Sequence, residues 1–535
     1  MIFVSISLSL ILTSIDLGGI GVIAPTISSD LNGGDFTWVG SAYLLASSAC
    51  LPLSGNLAHI FGRRPILLAA IAIFAAGSLA CALAKSMNIL IVGRAIQGIG
   101  GGGIQALSFI IVSDLVSLSE RGLYNGILSV VIAMGSGVAP FIAGSFADHI
   151  SWRWFFWINL PLCAVSFVWA AIFLNLNGPE GSLLAKLANI DWLGNFLLTA
   201  STSSTLIALT WGGVRYAWMS YNVLVPLIVG VIGLLFAFWY EYKWASQPTI
   251  PMSILLNGHS FNGYLGTFVH GIVLGTFSLD ILANHVARPA WFQAIHEATP
   301  TKSGLLLLPM VAGVLPCAII GGVVVARVGR YYISNLVGWC CMLIGLGLLV
   351  SIKKETHYYL IAIYEVIFGC GVGLLYAVII FAVLAPLTVA QQAPAMALLT
   401  FFRTFSQAWG ITIGGAVLQD GLRKRLPQGV MSKVPSGQSL AFALIPHIPT
   451  LEAQVREEVQ MAFHQSMHRV WVVTLCIGSA GMLTMVFMRN LPLKTTTDER
   501  WGIAGKGSTV EDDKSSLHSP SIVHTDDGSI RSETV

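Results

Sequence analysis

Residues 88–112 read Asn88-Ile-Leu-Ile-Val-Gly-Arg94-Ala-Ile-Gln97-Gly98-Ile-Gly100-Gly-Gly-Gly-Ile-Gln-Ala-Leu-Ser-Phe-Ile-Ile-Val112. The stretch outlasts the ~20 apolar residues that cross a ~30 Å hydrocarbon layer, and its one charge is Arg94. Working outward, about thirteen comparable stretches follow the same rule, at 3–25, 37–57, 66–84, 124–147, 156–175, 191–211, 223–240, 260–282, 304–326, 332–351, 358–385, 397–418 and 470–488. The composition agrees: 55% of the 535 residues are apolar and 10% charged, against roughly 45–50% and 25% in soluble domains. About fourteen spans use about 280 residues, which leaves connectors and excludes a large soluble catalytic domain. A net charge of +3 offers no basic face for nucleic acid. The eight cysteines show no C-x-x-C spacing, so no metal and no cofactor is expected. The fold class read from this pattern is an all-α polytopic membrane protein.

The first span lacks a charged leader and a small-residue cleavage site, so it reads as a retained helix. An even number of spans puts both termini on one side, and the Lys/Arg bias of the loops is too slight to say which. An internal echo is more informative. Gly55-Asn-Leu-Ala-His59-Ile-Phe-Gly62-Arg63 follows the second span and Gly322-Val-Val-Val-Ala-Arg-Val-Gly329-Arg330 the tenth, both G-x₆-G-R. Two six-helix halves with two extra helices between them would place these connectors equivalently, as repeats do in transporters. The expected organisation is an N-terminal half at 1–175, two linker helices at 176–258, and a C-terminal half at 259–490. That last half includes an outer loop, 419–469, in which 451–468 is expected as a helix, either lying at the membrane interface or, the favoured reading, solvated in the loop. Residues 491–535, rich in Ser, Thr, Asp and Glu, read as a disordered cytoplasmic tail.

An ionisable side chain at mid-bilayer costs about 2.5–3.5 kcal/mol on insertion scales, so each one inside a span is a candidate for function. Asp16, Arg94, His270, Asp280, Glu365 and Arg403 qualify. Asp16 sits near the middle of its span with Gly18, Gly19 and Gly21 after it, where helices can approach closely. A carboxylate there can take up and release a proton as access alternates. Arg94 requires a carboxylate or carbonyl partner. In the fifth span Gly126, Gly135, Ala139, Pro140, Ala143 and Gly144 make a flat face with a kink.

These motifs, in this order, resemble the fourteen-helix drug:proton antiporter branch of the major facilitator superfamily, particularly its fungal efflux pumps. Gly55, His59, Gly62, Arg63 and Arg64 resemble the loop motif between helices 2 and 3. Arg94-Ala-Ile-Gln97-Gly98 resembles the helix-4 motif whose Arg is implicated in proton coupling. Gly126, Gly135, Pro140 and Gly144 resemble the helix-5 antiporter motif. Trp152-Arg153-Trp154-Phe-Phe-Trp-Ile-Asn159-Leu-Pro161 resembles a diagnostic signature before helix 6. The segments at Pro289–Gln293 and Arg403–Gly410 look like two more, and their Gln293, Arg403 and Gln407 join the ionisable span residues His270 and Glu365 as cavity or coupling candidates.

The resemblance implies a major facilitator fold, alternating access by rocking halves, termini in the cytosol, and export of hydrophobic small molecules against inward proton flow. The implied coupling residues are Asp16 and Arg94. The implied partners are substrate, protons and the bilayer around a monomer, in the plasma membrane with the vacuolar membrane as alternative. Three departures stand out: His59 where the loop motif has an acid, Ala139 and Ala143 where the antiporter motif has Gly, and 277–288, which reads as an inserted piece. The first departure puts gate stability in question. No GxxxxGK[ST] phosphate cradle is present, so ATP hydrolysis is disfavoured and no enzyme is expected. The competing functions are a siderophore or amino-acid carrier and a transport-inactive sensor.

Overall fold

The computed structural model describes residues 1–31, 37–176, 182, 186–187, 190–213, 215–245, 248–250, 252–278, 294–295, 305–306, 308–431 and 440–493. Among them are fourteen long helices and no strand. They are α1 (Ile2–Asp30), α2 (Thr37–Phe61), α3 (Arg63–Ala82), α4 (Met87–Leu115), α5 (Leu118–His149) and α6 (Trp154–Phe173). Next come α7 (Trp192–Trp211), α8 (Tyr221–Lys243), α9 (Gly258–Ser278), α10 (Leu308–Val328), α11 (Tyr332–Val350), α12 (Tyr358–Leu384), α13 (Val389–Arg425) and α14 (Ala453–Met482). Eleven are long and apolar enough to cross a bilayer by composition; α7, α9 and α13 carry more polar residues and pack within the same bundle.

Helices prevail because a segment in hydrocarbon must satisfy its backbone internally. Where polar ends meet water, side chains take over. Ser86 accepts from the Ile89 N–H at the start of α4, and Thr388 with Gln391 forms a capping box at α13. Asn490 accepts from the N–H groups of Tyr331 (3.1 Å) and Tyr332 (2.9 Å), so the chain beyond α14 caps α11.

Within α4 the glycines set the packing distance. A methyl on Gly98 would overlap the Tyr43 carbonyl of α2, and one on Gly100 would come within 2.6 Å of the Ala70 carbonyl of α3. This small-residue face lets the backbones of α2 and α3 both close on α4. The two connectors of the sequence echo also match. Gly62 and Gly329 both have left-handed backbone, φ 99° and 68°, which Gly adopts at no steric cost.

Two expectations change. The outer loop is shorter than 419–469: residues 419–425 continue α13 and 453–469 begin α14. Hydropathy registers only the part of a helix inside the bilayer, whereas these helices continue past it, packed against each other. The surface helix expected at 451–468 is accordingly the first half of α14. Residues 279–293 and the chain from 494 lie outside the described residues, and with them most of the insertion expected at 277–288 and of the tail expected at 491–535.

α5 and α10 meet at the end that carries the α2–α3 loop. There a methyl on Gly122 would come within 2.7 Å of the Gly322 carbonyl, and Gly126 stands against Ala318. Gly55 abuts Ala397 of α13, and Arg121 donates to Gln392 at 3.0 Å. About three turns further along α5 from Gly126, nothing lies within 4 Å of where a Gly137 methyl would sit. The seam is shut at the loop end and parts towards the other.

Candidate functional site: a buried ion pair between three helices

α4 brings Arg94 inward seven residues after its start, facing Asp16 at the middle of α1; both are 0% exposed. Arg94 Nη1 donates to Asp16 Oδ2 at 2.5 Å and to Gln97 Oε1 at 2.6 Å, and Nε donates to the Val39 carbonyl at 2.9 Å. Its guanidinium carbon lies 4.7 Å from the centre of the Tyr43 ring and 6.0 Å from that of Phe156, a cation–π setting that partly replaces lost water. Asp16 accepts twice more, from Gln97 Nε2 at 2.7 Å and from Asn159 Nδ2 at 3.0 Å. Gln97 Nε2 also donates to Ser78 Oγ at 2.8 Å. One carboxylate thus ties α1 to α4 and α6, and through Gln97 to α3.

The network is nearly saturated. Arg94 Nη2, the Tyr43 hydroxyl and Asn159 Oδ1 are buried without a hydrogen-bond partner. Such groups in a dry interior are costly unless another arrangement of the site uses them. A proton arriving at Asp16 would remove the counter-charge of Arg94, and these groups are the ones free to rearrange.

The signature before α6 positions two members of the site. Trp152 Nε1 and Arg153 Nη1 both donate to Asp30 Oδ2, at 3.0 and 2.9 Å, and Arg153 Nη2 donates to the Ala84 carbonyl. The indole hydrogen bond, then the guanidinium, hold the Asp30 carboxyl below its ordinary range. With that corner pinned, Phe156 lies against Arg94 and Asn159 reaches Asp16. Trp154 is exposed, and α6 is interrupted at Ile158, so that Pro161 stands in the first turn of its second segment, Asn159–Phe173, where no backbone donor is needed.

The helix-5 motif packs α5 on α1. A methyl on Gly18 would fall 2.9 Å from Ala139 Cβ, one on Gly19 3.0 Å from Ala143 Cβ, and one on Gly135 2.7 Å from Ser14 Cβ. The glycines that helix 5 lacks at 139 and 143 are therefore supplied by α1. Gly144 faces Val22, and Pro140 lies inside α5. At the loop motif, Arg63 Nε pairs with Asp114 Oδ2 at 2.8 Å, both side chains buried, and Nη1 donates to Ala58 O. Arg64 donates to Asn175 Oδ1 and to the Ala171 carbonyl. His59 is exposed. Asp114, at the far end of α4 and not singled out in the sequence, is the buried acid that Arg63 pairs with.

The C-terminal candidates do not assemble in the same way. His270 is fully buried on α9, with the Arg403 charge nearby. Arg403 lies 3.9 Å over the Tyr376 ring and donates to its carbonyl at 3.2 Å. Gln407 is half-buried, its backbone against Gly275. Gln293 lies outside the described residues. Glu365 is fully buried on α12 and occupies the place of Arg94: Gly98, Gly100 and Gly102 recur 271 residues later as Gly369, Gly371 and Gly373, and the same step carries Arg94 to Glu365. The packing repeats with it, Gly77 on Gln97 in one case and Gly345 on Phe368 in the other. That register was readable in the sequence and is a longer echo than the loop motif.

Comparison with known proteins follows the same lines. The Major Facilitator Superfamily profile matches residues 6–411. The chain is 33% identical over 512 residues to efflux pump FUS6 of Gibberella fujikuroi, covering 94% of this chain and 91% of that one. It is 33% identical over 515 residues to the MFS-type efflux pump MMF1 of Pseudozyma antarctica, covering 95% and 94%. Among solved structures it is similar to the proton:xylose symporter XylE bound to 6-bromo-6-deoxy-D-glucose, with TM-score 0.54 at 12% identity over 92% of this chain and 97% of that one. The human organic anion transporter MFSD10 gives TM-score 0.54 at 14% identity over 89% and 98%. Identities that low speak to the fold alone.

Proposed function

The chain belongs to the Major Facilitator Superfamily, and from that premise we propose that it is a proton-driven exporter of hydrophobic small molecules, with Asp16 and Arg94 as its coupling pair. It is a multi-pass membrane transporter whose relatives are efflux pumps. The observation that carries the coupling is the fully buried ion pair, held by Gln97 and Asn159. A charge pair costs much to bury, and titration of one member changes which helices it binds together.

The cycle we propose uses these residues in order. With Asp16 ionised, α1 is clamped to α4 and α6, and the seam between α5 and α10 is shut at the cytosolic end. A proton reaching Asp16 from the open side neutralises it and releases Arg94. α1 and α5, packed together through Gly18 and Gly135, then rock as one body against α10, and the Gly122–Gly322 contact opens. Loss of the proton to the cytosol and binding of substrate there reset the clamp. One proton crossing one pH unit and 100 mV releases about 3.7 kcal/mol, enough to concentrate a neutral substrate roughly 500-fold.

The halves in this reading are 1–175 and 259–490, with α7 and α8 as an accessory pair and the plasma membrane as the site of action of a monomer. The test is accumulation of fluorescent hydrophobic compounds in oriented proteoliposomes under an imposed pH gradient. Uptake abolished by an uncoupler supports the proposal; gradient-independent equilibration by folded protein contradicts it.

A further inference from the structure

On the side away from the termini, α13 and α14 run together out of the bilayer, and a groove lies between the end of α13 and the middle of α14. Its lower part, about 590 Å³, has Ala416 and Val417 on one wall and Val472 and Val473 on the other, with Trp218 of the α7–α8 loop beside them. Its upper part, about 430 Å³, is lined by Arg425, His464 and Gln465. His468 and Arg469 belong to both parts. An apolar floor therefore continues into a cationic rim.

The rim carries surplus positive charge. Asp420, the carboxylate on the groove, is engaged by Lys424 at 2.7 Å. Arg425 spends its donors on Gln465 Oε1 and the Gly421 carbonyl, and the Arg469 charge stands close enough to oppose it. His464 feels His468 and Lys354, and its Nδ1 is buried without a partner. Like charges gathered beside neutral walls invite an anion.

The depth says which kind. Arg469 is the last charge before the apolar run of α14, which meets no other until Arg489. Val472 and Val473 lie about 5–6 Å deeper along the helix axis, so the groove straddles the boundary between headgroups and hydrocarbon, the level at which Trp residues gather. A free anion would use the rim and leave the floor bare; a zwitterionic head would bring a second cation to a place whose carboxylate is already paired.

We propose that this groove binds one anionic phospholipid of the leaflet facing away from the termini. Its phosphate rests on Arg469 and His468 below Arg425 and His464, and the first methylenes of one acyl chain lie along Val417, Val472 and Val473. The bound lipid would tie α13, α14 and the α7–α8 loop together, and the site does not depend on the transported substrate.

Native mass spectrometry of the purified full-length chain, delipidated and titrated with phosphatidylglycerol or phosphatidylcholine of identical chains, tests this. Wild type should retain one phosphatidylglycerol with about tenfold preference, and Arg469→Glu should lose about tenfold in its retention. Arg423→Ala, an exposed cation off the groove, should bind as wild type does. Should Arg469→Glu not fold, Val472→Trp fills the apolar floor, keeps the charges and should also lose the lipid. Equal retention of the two lipids, unchanged binding in the groove variants, or glycerol phosphate binding as tightly as the lipid would overturn the proposal.

Discussion

Asp16→Asn separates the structural weight of the ion pair from its part in coupling. Asparagine fits the same space and its oxygen can still accept from Asn159 or Gln97, but Arg94 loses the carboxylate at 2.5 Å. Breaking a buried pair by removing one partner costs about 3–5 kcal/mol. Here the low end, about 3 kcal/mol, is expected, because Val39, Gln97 and the Tyr43 ring continue to hold the guanidinium. Each kcal/mol moves the midpoint of a chain this long by about 1–2 °C, half the shift of a 250-residue domain, so Tm should fall by about 3–6 °C. Adding Arg94→Gln removes the orphaned charge and should restore most of that, an interaction of about 2–3 kcal/mol in the double-mutant cycle. The assay is helix circular dichroism on heating in detergent, paired with transport. The single and the double variant should both lose gradient-driven accumulation while keeping passive substrate exchange. A double variant that melts normally and still accumulates substrate against a gradient would refute the coupling role.

Three further outcomes follow from other parts of the molecule. Gly122→Leu drives a side chain into the Gly322 carbonyl and should shift the protein towards the state open at the loop end, read as a longer distance between spin labels at the exposed positions Glu120 and Ala390; an unchanged distance contradicts the closed seam. Asp191 Oδ2 and Glu241 Oε1 crowd the same glycine, Gly194, and neither has a hydrogen-bond donor, so Glu241→Gln should supply one and raise stability by about 1 kcal/mol, with a lower Tm as the opposing result. Because the Asp30 carboxyl sits below the ordinary aspartate value of 3.8, its contribution is complete above that pH and is lost as pH falls through the folded-state value. Asp30→Asn should therefore flatten the acid limb of the stability profile below about pH 4 and leave the neutral region's shape unchanged.

What the sequence disclosed followed physical period and cost. Span length fixed the helices because hydrocarbon thickness admits little variation, and charge burial singled out Asp16 and Arg94 because each had to have a partner. That they partner each other was not legible: they stand 78 residues apart in the chain, and a span says nothing about which face meets which. Asp114 escaped notice for a related reason, since a carboxylate near a helix end looks solvated until its partner, Arg63, is known to be buried beside it. The ends of α13 and α14 were read as loop because polarity there reports on distance from the bilayer, not on backbone conformation. Glu365 was visible as a charge, but its equivalence to Arg94 lay in the glycine spacing 271 residues apart, which close helix packing repeats and hydropathy does not register.

The central claim is that Asp16 carries a proton inward in exchange for exported substrate. Proteoliposomes loaded with a trapped pH indicator and substrate, with no imposed gradient, address it directly: release of substrate down its own gradient should draw protons the opposite way in wild type and none in Asp16→Asn. Substrate release by wild type with no accompanying proton movement, or equal proton movement in the variant, would contradict the account.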